Sequence, residues 1–172
     1  MSLLLSALLL APVDLDAVLR FSRPAACEMD APLRAIVERM VRQDPETFEA
    51  LPPPPVAVPG FPEPITPRFT RTRTVEGNAD IREVTIELAI PGRWHGLDVT
   101  RLLRRFGEES DSSSLEIQFA EPPPRVHAAL RRAGFRLGPV GTWRETETGD
   151  GIGVSVLVSR IEGGASLVCA IG

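Results

Sequence analysis

The chain has 172 residues, 43% of them apolar, and a formal net charge of −4. Such a chain suits one domain with enough apolar mass for a core, which argues against disorder of the whole and, mildly, against a nucleic-acid partner. All 19 basic residues are arginine and tyrosine is absent, so lysine Schiff bases, a P-loop lysine and tyrosine acids are excluded.

Leu3 to Leu10 reads LLLSALLL, the right length for the apolar region of a secretory signal and too short to span a bilayer. No arginine precedes it. Cleavage after Ala11 or Ala17 would leave Leu9 or Leu15 where a small residue belongs. Pro24-Ala25-Ala26-Cys27 is only loosely like a lipoprotein cleavage site, because Asp14, Asp16, Arg20 and Arg23 lie upstream of it. The competing expectation is a buried amphipathic N-terminal helix continuing through Leu15, Val18, Leu19 and Phe21. No other stretch approaches the roughly 20 apolar residues of a membrane span, so none is expected.

Asp30 is a helix cap, Pro32 falls in the first turn, and Leu33, Ile36, Val37, Met40 and Val41 follow helical spacing. The helix should end before Asp44-Pro45. Between Pro52 and Pro67 stand eight prolines, where neither helix nor central strand persists. Val56, Val58, Phe61 and Ile65 are interspersed, which predicts an ordered strap across the domain, with Phe61 and Ile65 largely buried. A docking peptide for a proline-recognising domain is the rival.

Thr70 to Val75 predicts a strand, Gly77-Asn78 a turn, and Val84, Ile86, Leu88 and Ile90 a half-buried strand stopping at Pro91-Gly92. Val99, Leu102, Leu103 and Phe106 favour a helix capped by Asp98 and ended by Gly107. The alternative is a hairpin with arms 97–107 and 115–119. Leu115, Ile117 and Phe119 predict a strand, and Pro122-Pro123-Pro124 opens a helix burying Val126, Ala129, Leu130 and Ala133. Phe135-Arg136-Leu137 should then start an extended segment. Ile152 to Val158 and Leu167 to Ile171 alternate as two strands joined at Glu162-Gly163-Gly164.

The fold expected is α+β: a mainly antiparallel sheet with two or three helices on one face, and an N-terminal helical arm joined by the proline-rich strap. Residues 1–26 form the leucine-rich segment. Residues 27–172 form a single domain containing connector 51–67.

Candidates for chemistry are few. His95 lies in Gly92-Arg93-Trp94-His95-Gly96 with Asp98 close by, a general-base pair if the two meet. The bland alternative is a solvated turn histidine beside a core-plugging Trp94. His127, among Arg125, Arg131 and Arg132, should be exposed. Arg68, Arg71, Arg73 and Arg82 on paired strands are candidates for an anion or acidic-partner patch, with Trp94 as a further binding residue. Glu108 to Ser114 lacks EF-hand spacing. The glycines at 149, 151 and 153 precede a strand and so make no phosphate cradle. No metal or cofactor is expected.

Cys27 and Cys169 are the two cysteines, and an even pair predicts a disulfide in an exported chain. The function expected is that of a non-catalytic periplasmic or secreted domain contacting an unknown protein or a small anionic ligand. The alternatives are a hydrolase-type enzyme using His95, or a cytoplasmic adaptor docking by its proline run.

Overall fold

The computed structural model describes residues 12–76, 79–108, 112–148 and 151–171. The leucine run, the Gly77-Asn78 turn, residues 109–111 of the acidic loop and Gly149 of the glycine-rich element lie outside them. In chain order come β1 (Val13–Asp14), β2 (Phe21–Arg23), a 3-10 turn (Pro24–Ala26), β3 (Glu28–Met29), α1 (Ala31–Met40), β4 (Arg42–Gln43) and β5 (Ala50–Leu51). Then follow β6 (Arg68–Glu76), β7 (Ala79–Trp94), β8 (Leu97–Gly107), β9 (Ser113–Phe119), α2 (Pro123–Arg132), β10 (Arg144–Glu147), β11 (Gly153–Ile161) and β12 (Gly164–Ile171).

Eight strands form one sheet in the order β1-β7-β8-β9-β12-β11-β10, with β6 also on β7. Every pair is antiparallel except β1 with β7. One face is apolar: Val84, Ile86, Leu88 and Ile90 of β7, Leu115, Ile117 and Phe119 of β9, and Val154, Val156 and Val158 of β11 are all buried. Both helices contribute to the same core. Asp30 accepts the Ala31 amide at 2.8 Å, and α1 buries Leu33, Ile36, Val37 and Met40. Two prolines start α2, which buries Val126, Ala129 and Leu130 and stops at Gly134 in the left-handed region. Among the described residues no helix is long and apolar enough to cross a membrane.

Residues 97–107 form a strand where a helix was favoured. The physical reason is a bulge: Val99 pairs with Phe119 and Arg101 with Gln118, so two β8 residues oppose one of β9. The inward set becomes Leu97, Val99 and Leu102, an interval of three that imitates helical spacing. Leu103 is buried as well, but on the other face opposite Glu116. Strand β7 likewise passes through Pro91-Gly92 to Trp94, with a register shift between Ala89 and Gly92. Gly92 permits this because β1 lies against it, where a Cβ would stand 2.6 Å from the Val13 carbonyl oxygen.

Residues 12–26 contain no α-helix. Leu15, Val18 and Leu19 are buried from a turn between β1 and β2, since β1 joins the main sheet and fixes the chain in extended form there. Among its described residues the N-terminal arm therefore holds one helix, α1, among short strands. Phe135 to Leu137 form no strand; Phe135 turns into the core, and β10, which was not predicted, supplies the edge partner of β11.

The proline-rich strap is docked. Val56 and Val58 are buried, and Val56 exchanges backbone hydrogen bonds with Ile65 at 2.8 and 2.9 Å. Phe61 and Ile65 are only partly buried against the core; the inward positions fall earlier than expected. Cys27 and Cys169 form the predicted disulfide, with Cα atoms 6.1 Å apart. It ties the turn preceding α1 to the apolar face of β12.

Candidate functional site

Trp94 ends β7 and His95-Gly96 form the two-residue turn to β8, with φ of 50° and 75°. Both values are left-handed, as a tight hairpin of matching twist requires. Trp94 is 1% exposed. Its ring stacks on Phe119 at 6.0 Å and meets Phe135 edge-on, so it belongs to the core. His95 and Asp98 are not paired: Asp98 binds the Arg93 Nε at 3.3 Å, and its amide donates to Glu121. The acid near His95 is Asp16, which accepts the His95 main-chain amide at 2.7 Å. His95 Nδ1 stands 4.0 Å from the same carboxylate oxygen, beyond hydrogen-bond reach. These residues border a cavity of about 210 Å³ with Phe21, Pro24 and Phe135. His127 is half-buried, donating from Nε2 to the Gly138 carbonyl at 2.9 Å; it pins the segment after α2.

Arg71 and Arg73 do share one face of β6, and Arg73 lies opposite Arg82 of β7. A cavity of about 260 Å³ includes all three with Glu108. Arg71 is committed structurally. It pairs with Glu108 at 2.9 Å and donates to the Ala50 carbonyl at 2.7 Å, while Glu108 accepts the Ala50 amide. Together they clamp the β4–β5 hairpin to the sheet edge. Arg71 pairs with Val84, ten residues from Trp94 along β7. At about 3.3 Å per residue that is roughly 30 Å, so the arginines and Trp94 make no common patch.

A third location was not singled out from the sequence. The face of the sheet opposite the core carries a groove of about 620 Å³, lined by strands β8, β9, β11 and β12, Glu83 of β7, the turn after β8, and Trp143. Among the described residues no helix residue lines it. At its floor Glu116 is 3% exposed. Arg105 approaches its Oε2 at 3.1 Å and Gln118 donates to its Oε1 at 2.7 Å. The register sets Gln118, Ser166 and Ser159 in one row across three strands, and Glu116, Val168 and Leu157 in the next. Ser159 and Ser166 hydroxyls are 2.8 Å apart. A signal existed in the sequence: the outward residues of β11 and β12 include Ser155, Ser159, Ser166 and Ala170, where a solvated sheet face ordinarily carries charge.

Among the described residues no group of three or more His, Cys, Asp or Glu side chains is placed to hold a metal ion. Compared with protein-family models, curated proteins and solved structures, the chain matches none.

Proposed function

We propose that this protein is a non-catalytic, exported domain that binds a ligand in the groove on the helix-free face of its sheet. The observation that carries the reading is Glu116: a carboxylate almost wholly removed from water on a face that, among the described residues, no helix lines. Burying a charge is costly unless it is paired and hydrogen-bonded, and Arg105 and Gln118, both in the groove lining, meet that need. The groove's volume lies within the range of small-ligand sites. The Cys27–Cys169 disulfide supports an oxidising compartment.

The test is ligand-observed NMR of the intact chain against a mixed library of sugars, amino acids, organic acids and peptides. Hits should shift amides of β9, β11 and β12 and disappear in Gln118→Ala. A library whose hits all map elsewhere sinks the proposal.

A hydrolase-type reading has one observation in its favour, the small cavity holding both His95 and Asp16. Its lining contains no serine, threonine or cysteine, so His95 would have to activate water. Ester hydrolysis by the native chain that His95→Ala abolishes is the result that would establish it. The proline run, with Val56 and Val58 inside the core, fits an adaptor's free docking peptide poorly.

A further inference from the structure

We infer that the groove takes a neutral, polyhydroxylated ligand, of the chemical class of a short oligosaccharide; this rests on the binding role proposed above. Charge comes first. Of the ionised groups lining the groove, Arg105 and Glu116 neutralise each other at 3.1 Å and Glu83 adds one negative charge. No unbalanced cation is offered to an anionic ligand, and Glu116, buried beneath the half-exposed Arg105, gives a cationic ligand no free carboxylate, which leaves only the exposed Glu83 at the groove's border.

Hydrogen-bonding chemistry narrows the class further. A sugar hydroxyl both donates and accepts, so its best partners are groups that do the same or that offer donor and acceptor side by side. Serine hydroxyls and the glutamine amide have this property, and the part-exposed Gln118, Ser155 and Ser159 line the groove, with Ser166 buried behind them and bonded to Ser159. Between them Leu157 and Val168 are directly paired, an apolar strip among polar rows. A pyranose ring has the same composition, with hydroxyls at its rim and C–H groups on its faces. At the border Trp143 is 49% exposed. An indole held at the edge of a polar groove gives a flat apolar platform with one polar end. A peptide strand would instead need an unpaired sheet edge to hydrogen-bond its backbone, and here β8, β9, β12 and β11 are all paired to one another.

The experiment titrates the intact chain with maltotriose, cellotriose and triacetylchitotriose, and with trigalacturonic acid as the anionic comparison. Of the two tryptophans, Trp94 is buried in the core, so a change in emission reports on Trp143. At least one neutral trisaccharide should give a saturable change with Kd below about 1 mM and shift the β9, β11 and β12 amides. Gln118→Ala and Ser159→Ala, each with an unaltered melting temperature, should weaken it at least about tenfold. Tighter binding of the anionic sugar overturns the inference. So does the absence of any amide shift with every sugar at about 10 mM, where a millimolar Kd gives nearly full occupancy. If library compounds of another class shift those amides while the sugars do not, the groove stands as a binding site and only the ligand class is wrong. If nothing shifts them, both fall.

Discussion

His95 meets Asp16 through its main chain: the amide donates to Asp16 Oδ1 at 2.7 Å, while ring Nδ1 stays 4.0 Å from that oxygen. Asp16 thereby closes the β7–β8 turn onto the segment following β1. The energetic weight belongs to the aspartate. Asp16→Ala should cost about 0.5–1.5 kcal/mol, the net worth of one hydrogen bond, and His95→Ala less than about 0.5 kcal/mol. Urea denaturation of both variants decides it. Equal losses would show that the imidazole itself is engaged.

The disulfide spans 142 residues. In the chain-entropy description, cross-linking so long a loop stabilises by close to 5 kcal/mol, with measured effects commonly smaller. For a chain of this size that amounts to a fall of about 10 °C or more in Tm on reduction. Calorimetry with and without reductant, together with a mass gain of two hydrogens, tests both the bond and its contribution. An unchanged Tm after verified reduction would contradict it.

Gly92→Ala should destabilise by about 2–3 kcal/mol, because the added carbon meets the Val13 carbonyl oxygen and the Leu15 side chain at 2.6 and 2.9 Å. Backbone cannot swing aside as a side-chain tip can. Gly153, at the start of β11, has nothing within 4 Å of the same position, so Gly153→Ala should stay within about 0.5 kcal/mol. Similar effects at the two sites would mean that β1 does not hold its place against β7.

Arg104 sits on the apolar face between Ile86 and Leu115. Its Nε is buried without an acceptor, and desolvation lowers its pKa from the usual arginine value. Exchanging it for an unbranched apolar residue removes a poorly solvated cation from that face, so Arg104→Met should be neutral or stabilise by about 1 kcal/mol. Arg71→Met should instead destabilise by about 1–2 kcal/mol, since it strands the buried Glu108 and frees Ala50. A loss at Arg104 exceeding that at Arg71 would refute the assignment.

The Asp44 carboxyl is held below its ordinary range by backbone amides of Thr47 and then Glu46. A carboxyl depressed in the folded state stabilises above its unfolded pKa and loses that contribution as pH falls through the folded value. The stability gap between native chain and Asp44→Ala should therefore be present at neutral pH and shrink on acidification below about pH 4. A gap that persists unchanged into strong acid would show that charge is not what Asp44 supplies.

Much of the secondary structure was legible where local signals agreed. Asp30 and Pro32 marked the start of α1, the three prolines that of α2, and Glu162-Gly163 the β11–β12 turn. The disulfide followed from having two cysteines and no others. Strand β8 was misread because its bulge at Thr100 and Arg101 breaks the alternation that identifies strands. Trp94 looked available for binding because it neighbours a turn, yet the turn is so tight that the tryptophan still belongs to the strand and faces inward.

By itself, the sequence determined which segments bury one side, because apolar periodicity and proline or glycine punctuation are local properties carried by neighbouring residues. Only the tertiary structure decided which residues share a site. Arg105, Glu116, Gln118, Ser159 and Ser166 come from four strands, and they meet because strand register is set by pairings between segments up to some fifty residues apart. The same holds for His95, whose acidic neighbour proved to be Asp16, 79 residues away, and not Asp98 in its own hairpin. Register across a sheet is a long-range quantity, and no window along the chain contains it.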